Sequence, residues 1–211
     1  MDYLPFVTSL CGAFFGALGA YSVGRFKEKR DEEKQQHSAL LAAQYALYSQ
    51  WSVIEDIRRS FLEPLRKDPD RYLKHTYFLR ILGHRNVSFD QLAFVINSDT
   101  PNLLQEIHVA EKRCLISIDC LDRINKLRSE LQTKYPPHEF DMATGKARLS
   151  MPGFELYPLK SLTDILYKEV DEALPDLWNT TIRIREFVKK NLKGRKAIDL
   201  ATSSPVSDVK S

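Results

Sequence analysis

Glycine is scarce in most of this chain. The 211 residues contain only eight glycines, and four of them (Gly12, Gly16, Gly19 and Gly24) fall within the first 24 residues. This scarcity argues against a glycine-rich phosphate loop, a collagen-like repeat or a turn-dense β-sandwich. The length fits about one domain. We therefore expect the sequence to indicate an architecture and a placement rather than a biochemical activity.

The chain also lacks the usual signatures of metal and catalytic sites. No histidine has a glutamate three positions before it, as a di-iron helical bundle requires, and His-Glu-x-x-His, Walker and Gly-x-Ser-x-Gly motifs are absent. Cys114 and Cys120 are not spaced as CxxC, so they are expected to be core residues. We predict no catalytic residue, no metal and no cofactor, and the remaining enzyme alternative is the irregular loop that carries His138, Glu139 and Asp141.

Charge is missing from Tyr3 to Gly24, a run of 22 residues. A helix of that length rises about 33 Å, close to the roughly 30 Å of a hydrocarbon core. Because basic residues follow the run, the sequence predicts an N-terminus outside and the rest of the chain in the cytoplasm. The lipid bilayer is then a partner, and the location is the bacterial inner membrane, crossed once. A cleaved signal peptide stays open, since Ala17-Leu18-Gly19 fits a cleavage pattern.

Small residues recur every four positions along the same run. They are Thr8, Gly12, Gly16, Ala20 and Gly24. Such a stripe lets two helix backbones approach closely, which predicts a homo-oligomer held by these residues. The alternative is that Gly and Ala are simply common in membrane helices.

The rest of the chain reads as helices. Arg25 to Leu65 has a seven-residue apolar repeat typical of bundles and coiled coils, the next helix follows Asp68-Pro69, a third runs from about Pro101 to Lys134, and a fourth from Pro158 to Leu192. Pro175 should kink or break the fourth. The predicted fold is all-α: an N-terminal transmembrane helix, then an antiparallel, up-down-up-down bundle of about four long helices.

These elements divide the chain into four parts. We predict a transmembrane anchor at 1–24, a charged helical neck at 25–39, a cytoplasmic bundle at 40–193 and a disordered tail at 194–211. The irregular stretch 138–157 either forms a short hairpin or covers a bundle end.

Two segments resemble known proteins. VSFDQLAFVINSDTPNLLQEIHVAEKRCLISIDCLDRINKL and GRFKEKRDEEKQQHSALLAAQYALYSQ, together about half of the chain, are similar to stretches of bacterial single-pass membrane proteins with a cytoplasmic helical domain. That family has no assigned activity, so the resemblance implies no functional residue.

Two basic clusters stand out, from Arg66 to Arg85 and at the end of the last helix. If the last helix returns toward the bilayer, its cations would contact lipid headgroups: Arg183, Arg185, Lys189, Lys190, Lys193, Arg195 and Lys196. The alternative is a solvated helix end, where cations are favoured by the helix dipole. Aromatic residues among the cations are few, so we do not expect nucleic acid as a partner.

The sequence therefore predicts a membrane-anchored, non-catalytic helical interaction or scaffold protein that self-associates and binds a further protein that the sequence does not identify. The alternative is a membrane-perturbing effector whose transmembrane helix oligomerises.

Overall fold

The computed structural model describes residues 4–75, 85–136, 139–141, 146–148, 151–192 and 198, and for 4–15 and the two strands it describes the backbone alone. The first helix, α1 (Leu4–Ile57), is 54 residues long, or about 80 Å at 1.5 Å per residue. It passes into a π-helical turn, Arg58–Leu62, and a 3₁₀ turn, Glu63–Leu65. Pro64 lacks an N–H and its ring crowds the preceding turn, which explains why the regular helix ends here.

Two further long helices complete the framework. Helix α3 (Asn102–Lys134) begins after Pro101, and helix α4 (Tyr157–Asn191) has a proline in its first turn. Both bounds confirm the predicted third and fourth helices. Helix α4 continues through Pro175 without a break. An internal proline costs about 3 kcal/mol, and the buried residues on either side of it, including Leu174 and Leu177, offset that cost.

Short elements connect the long helices. The four-residue α2 (Arg71–Lys74) and a 3₁₀ helix, Phe89–Asn97, lie between α1 and α3. Strands β1 (Glu139–Asp141) and β2 (Lys146–Arg148) pair antiparallel, which agrees with the hairpin, one of the two alternatives for 138–157. A 3₁₀ turn, Gly153–Leu156, leads into α4.

Contacts between the helices fix their directions. Arg113 of α3 pairs with Glu172 and Asp176 of α4, whereas Glu106, earlier in α3, pairs with the later Arg183. These helices are therefore antiparallel. Helix α1 is also antiparallel to α4, because the Trp51 and Trp178 rings lie 5.3 Å apart while the Tyr167 hydroxyl donates to the Leu62 carbonyl, 2.8 Å away. Helices α1 and α3 thus run in the same direction.

The predicted up-down-up-down bundle of four long helices is wrong in its second arm. The described part of the segment between α1 and α3 contains α2 and 3₁₀ turns rather than a long helix. Pro64 and Pro69 each lack a backbone N–H and disfavour a continuous helix, and the ion pairs of Arg66 and Arg71 with α4 hold the described part of the segment in short turns. The segment is a crossover that returns the chain so that α3 starts parallel to α1.

One apolar core lies between the three long helices and the crossover. Helix α4 contributes the most buried residues and packs against both α1 and α3. The largest fully buried apolar side chains are Leu40, Leu47, Ile54, Leu62, Leu92, Leu103, Ile107, Ile124, Leu166, Leu177 and Ile184. Among the described side chains, helix α1 joins this core from Ala39 onward.

The predicted transmembrane anchor, and with it the single-pass location in the bacterial inner membrane, is wrong. Within the part of the chain that the structure describes, no helix is both long and apolar enough to cross a membrane. Freedom from charge is not the same as hydrophobicity: three of the nine residues from Gly16 to Gly24 are glycines, Tyr21 and Ser22 carry hydroxyls, and Arg25 follows. The predicted membrane-perturbing effector depended on that span and is not carried forward.

Candidate interaction surface

The N-terminal part of α1 extends beyond the bundle as a single helix. Every residue from 16 to 30 is exposed, and we call this segment the arm. It presents large apolar side chains to solvent: Leu18 is 46% exposed, Tyr21 62%, Val23 68% and Phe26 77%. Large apolar side chains that gather on one exposed element are typical of an interaction surface.

One face of α1 carries apolar and charged residues at heptad spacing. Leu18, Arg25, Glu32 and Ala39 are each seven residues apart, so they lie on one side of the helix. The Arg25 guanidinium lies 5.7 Å from the centre of the Tyr21 ring, which places Tyr21 on the same side. This face therefore runs from an apolar tip, through a cation and then an anion, to the small Ala39 at the edge of the core.

A groove opens where this face meets the bundle. It encloses about 530 Å³ and lies between α1 and the 3₁₀ helix Phe89–Asn97. Helix α1 lines it with Glu32, Gln35, Gln36, Ser38 and Ala39, and the 3₁₀ helix with Asp90, Gln91 and Phe94. Among the described residues, the groove lining has two carboxylates, no Lys or Arg, and an apolar wall formed by Phe94 and Ala39.

The predicted small-residue stripe falls partly on the arm. Gly16, Ala20 and Gly24 lie on it, whereas the side chain of Thr8 and the surroundings of Gly12 lie outside the description. A Cβ placed on Gly16 or Gly24 would meet no atom within 4 Å, so these positions are open to another helix. Self-association through the stripe remains a prediction.

The predicted headgroup-contact residues of α4 are partly engaged within the fold. Arg183 pairs with Glu106 of α3, and the Lys190 ammonium lies 3.6 Å from the Asp99 carboxylate. Lys189 is exposed and Arg185 is half-buried. The remaining predicted contacts, Lys193, Arg195 and Lys196, lie outside the described residues, so contact with lipid headgroups remains a prediction.

The other basic cluster contributes to the fold. Arg66 makes a two-pronged ion pair with Asp171 of α4, at 2.9 and 2.7 Å, and this hydrogen bonding raises the pKa of Arg66. Arg71 pairs with Asp164 at 2.5 Å. Both guanidiniums also stack on the Tyr167 ring. These cations therefore hold the crossover against α4.

A buried histidine lies beneath this cluster. His75 is 4% exposed, its Nε2 is 3.3 Å from the Tyr167 hydroxyl, and its ring is hydrogen-bonded to the Phe61 backbone. Burial lowers the pKa of His75 to about 4, with the positive charges of Arg128 and Arg71 acting in the same direction. The neutral, enclosed ring is a structural element of the core.

A second buried polar group joins α1 to α3. Glu111 accepts a hydrogen bond from the Val87 backbone N–H at 2.7 Å and another from Gln50 at 3.4 Å, and Gln50 also donates to the Arg85 carbonyl at 2.8 Å. The polar atoms thereby anchor the start of the 3₁₀ segment, since a buried carboxylate is stable only when hydrogen-bonded.

The chemically reactive groups offer no assembled site in the described residues. Burial raises the pKa of Cys114 to about 12 and also raises the pKa of Cys120, so both thiols stay protonated and poorly nucleophilic. Across the described ranges no three His, Cys, Asp or Glu side chains come together as a metal site would require. His138, and the side chains of Glu139 and Asp141, lie outside the description, so the alternative enzyme site there is untested.

Asp90 and Phe94 are the surface residues that the sequence does not single out. The FDQLAFVIN segment has the pattern of a short helix, but nothing in it shows that it would lie beside α1. The heptad spacing of Leu18, Arg25 and Glu32 is the signal in the sequence for this surface. A membrane span assigned to residues 3–24 separates Leu18 from the other two residues, so the shared face is then overlooked.

Comparison with known proteins identifies no relative. A scan against protein-family models, a search of curated proteins and a search of solved structures each found no match. The function must therefore be argued from the arm and the groove themselves.

Proposed function

We propose that this chain is a non-enzymatic interaction protein that self-associates through the arm of α1. The observation that carries the proposal is the continuous exposure of residues 16–30, with Leu18, Tyr21, Val23 and Phe26 open to solvent. Burying a large apolar side chain contributes about 1.5–3 kcal/mol. Covering part of this exposed surface by a second chain would stabilise both copies.

Helix energetics support the same proposal. A helix without tertiary contacts is marginal in water even for favourable sequences. The arm contains Gly16, Gly19 and Gly24, and each interior glycine costs about 1 kcal/mol relative to alanine. The arm extends from the bundle as a helix despite these costs, which is expected of an element completed by packing against another helix.

Sedimentation of the full chain tests the proposal. We expect the wild type to sediment as a dimer of the 24.4 kDa chain at micromolar concentration, and the double variant L18S/F26S to sediment as a monomer. The matched control is V109S/L115S, which removes two partly exposed apolar side chains from α3 and should remain dimeric. Circular dichroism must show that all three proteins are equally folded in the bundle.

Two results would contradict the proposal. The first is a wild type that stays monomeric across the concentration range; if that monomer co-sediments with anionic phospholipid vesicles, a lipid surface covers the arm instead. The second is dissociation of the α3 control to the same extent as the arm variant.

A further inference from the structure

The groove at the base of the arm is chemically complementary to the arm itself. We infer that two copies pair with their α1 helices antiparallel, so that the arm of each copy occupies the groove of the other. This inference rests on the proposed self-association and adds to it the orientation, the register and the surface that receives the arm. In this arrangement the groove binds a basic and apolar helix from a second copy of this chain.

The heptad spacing sets the register. If the two helices cross between Glu28 and Lys29, Arg25 of each copy lies opposite Glu32 of the other. In the same register Leu18 lies opposite Ala39, at the apolar wall of the groove. Oppositely charged residues then meet near the middle of the pair, and apolar residues meet at both ends.

The parallel arrangement is disfavoured by the same residues. In a parallel pair in register, Arg25 would face Arg25 and Glu32 would face Glu32, and like charges that face each other across a helix pair repel. In the antiparallel register Arg25 faces Glu32 and Glu28 faces Lys29 of the other copy, so these charges meet the opposite sign.

The 3₁₀ helix completes the receiving surface. Phe94 is half-buried, packs against the core and forms part of the groove wall. Asp90 adds a second carboxylate on the same side as Glu32. A twofold dimer makes each contact twice. When the two α1 helices cross once, the arm of each copy therefore lies in the groove of the other.

Charge exchange tests this register. In a dimer of R25E, the substituted acidic side chain at position 25 would face the unchanged Glu32 of the other copy. In a dimer of E32R, the unchanged Arg25 would face a cation at position 32. Each variant alone should dimerise about tenfold more weakly than the wild type, by sedimentation equilibrium. An equimolar mixture of the two should recover wild-type affinity. In the mixed dimer the two substituted side chains, R25E and E32R, face each other at one contact, and the unchanged Arg25 and Glu32 face each other at the other.

A matched control separates this effect from net charge. K126E makes a comparable charge reversal on an exposed residue of α3 and should dimerise like the wild type when alone, and its mixture with E32R should show no recovery of the E32R defect. Recovery confined to the R25E and E32R mixture supports the antiparallel register. A wild-type dimer that R25E and E32R leave unchanged, or whose mixture stays as weak as the separate variants, overturns the register while self-association stands. A monomeric wild type overturns both.

Discussion

Acidification should destabilise the bundle through one side chain, His75. The ring is buried against Tyr167 of α4, faces Arg128 of α3 and Arg71 of the crossover, and has its pKa lowered from 6.5 to about 4. The folded protein therefore favours the neutral ring, whereas the unfolded chain protonates near pH 6.5. The stabilising contribution is complete above pH 6.5 and is lost as the pH falls toward 4.

The magnitude follows from the two pKa values. Each pH unit between them corresponds to about 1.4 kcal/mol, so the full loss below pH 4 is about 3 kcal/mol. Between about pH 7.5 and about pH 5 the free energy of unfolding should fall by about 2 kcal/mol. A loss of this size is a large fraction of the 5–15 kcal/mol typical of a domain.

Urea unfolding at a series of pH values measures this loss. Wild type should lose stability over this interval, while H75Q should be less stable at pH 7.5 but should lose about 2 kcal/mol less than wild type between the two pH values. H108Q, which changes an exposed histidine, is the matched control and should keep the wild-type slope. A slope in H75Q equal to that of wild type would refute the assignment of acid sensitivity to this ring.

Three further predictions concern the packing of the bundle. Because Trp178 is buried against Trp51, W178A should reduce the free energy of unfolding by about 3–5 kcal/mol in urea titrations, and a loss below about 1 kcal/mol would contradict the packing. The ion pair of Arg66 with Asp171 is partly exposed, so a double-mutant cycle to alanine should give a coupling of only about 1 kcal/mol, and no coupling would argue against the pair. Cys114 is buried with its pKa raised to about 12, so at pH 8 iodoacetamide should label it only after unfolding, as mass spectrometry can show; rapid labelling of the folded protein would contradict its burial.

The long helices were predictable because their signals are local. Helix α3 has a proline at its start and an unbroken apolar stripe to Lys134, and α4 has the same kind of stripe from Tyr157. Burial overcame the one breaking signal inside α4, Pro175, since the residues around it lie in the core. Periodicity reports which side of a helix is buried, and the buried Ile107, Cys114 and Leu121 of α3 are each seven residues apart.

The arrangement of the helices was not predictable in the same way. Whether the crossover forms a helix or short turns depends on long-range contacts, such as those of Arg66 and Arg71 with α4. The candidate site shows the same limit. Leu18, Arg25 and Glu32 share a face by spacing alone, but the groove also needs Asp90 and Phe94, which only the folded chain brings beside α1.

The error over residues 1–24 arose from weighing the absence of charge above the composition of the end of the run. From Gly16 to Gly24 there are three Gly, two Ala, one Ser and one Tyr, and the only larger aliphatic residues are Leu18 and Val23. Such a composition suits close packing of helices as well as it suits a bilayer. The arm is an exposed part of a continuous helix, which favours close packing against another helix.

Cross-linking at a single position tests the antiparallel pairing of arms most directly. The third cysteine of the chain, Cys11, is replaced by serine so that it cannot react. In this C11S background, a cysteine at position 28 lies close to its counterpart if the helices cross between Glu28 and Lys29. A cysteine at position 18 lies about 30 Å along the axis from its counterpart, at 1.5 Å per residue. We predict that a short bismaleimide will covalently join two chains of E28C and will not join two chains of L18C. Equal cross-linking of both variants would indicate parallel arms and contradict the account.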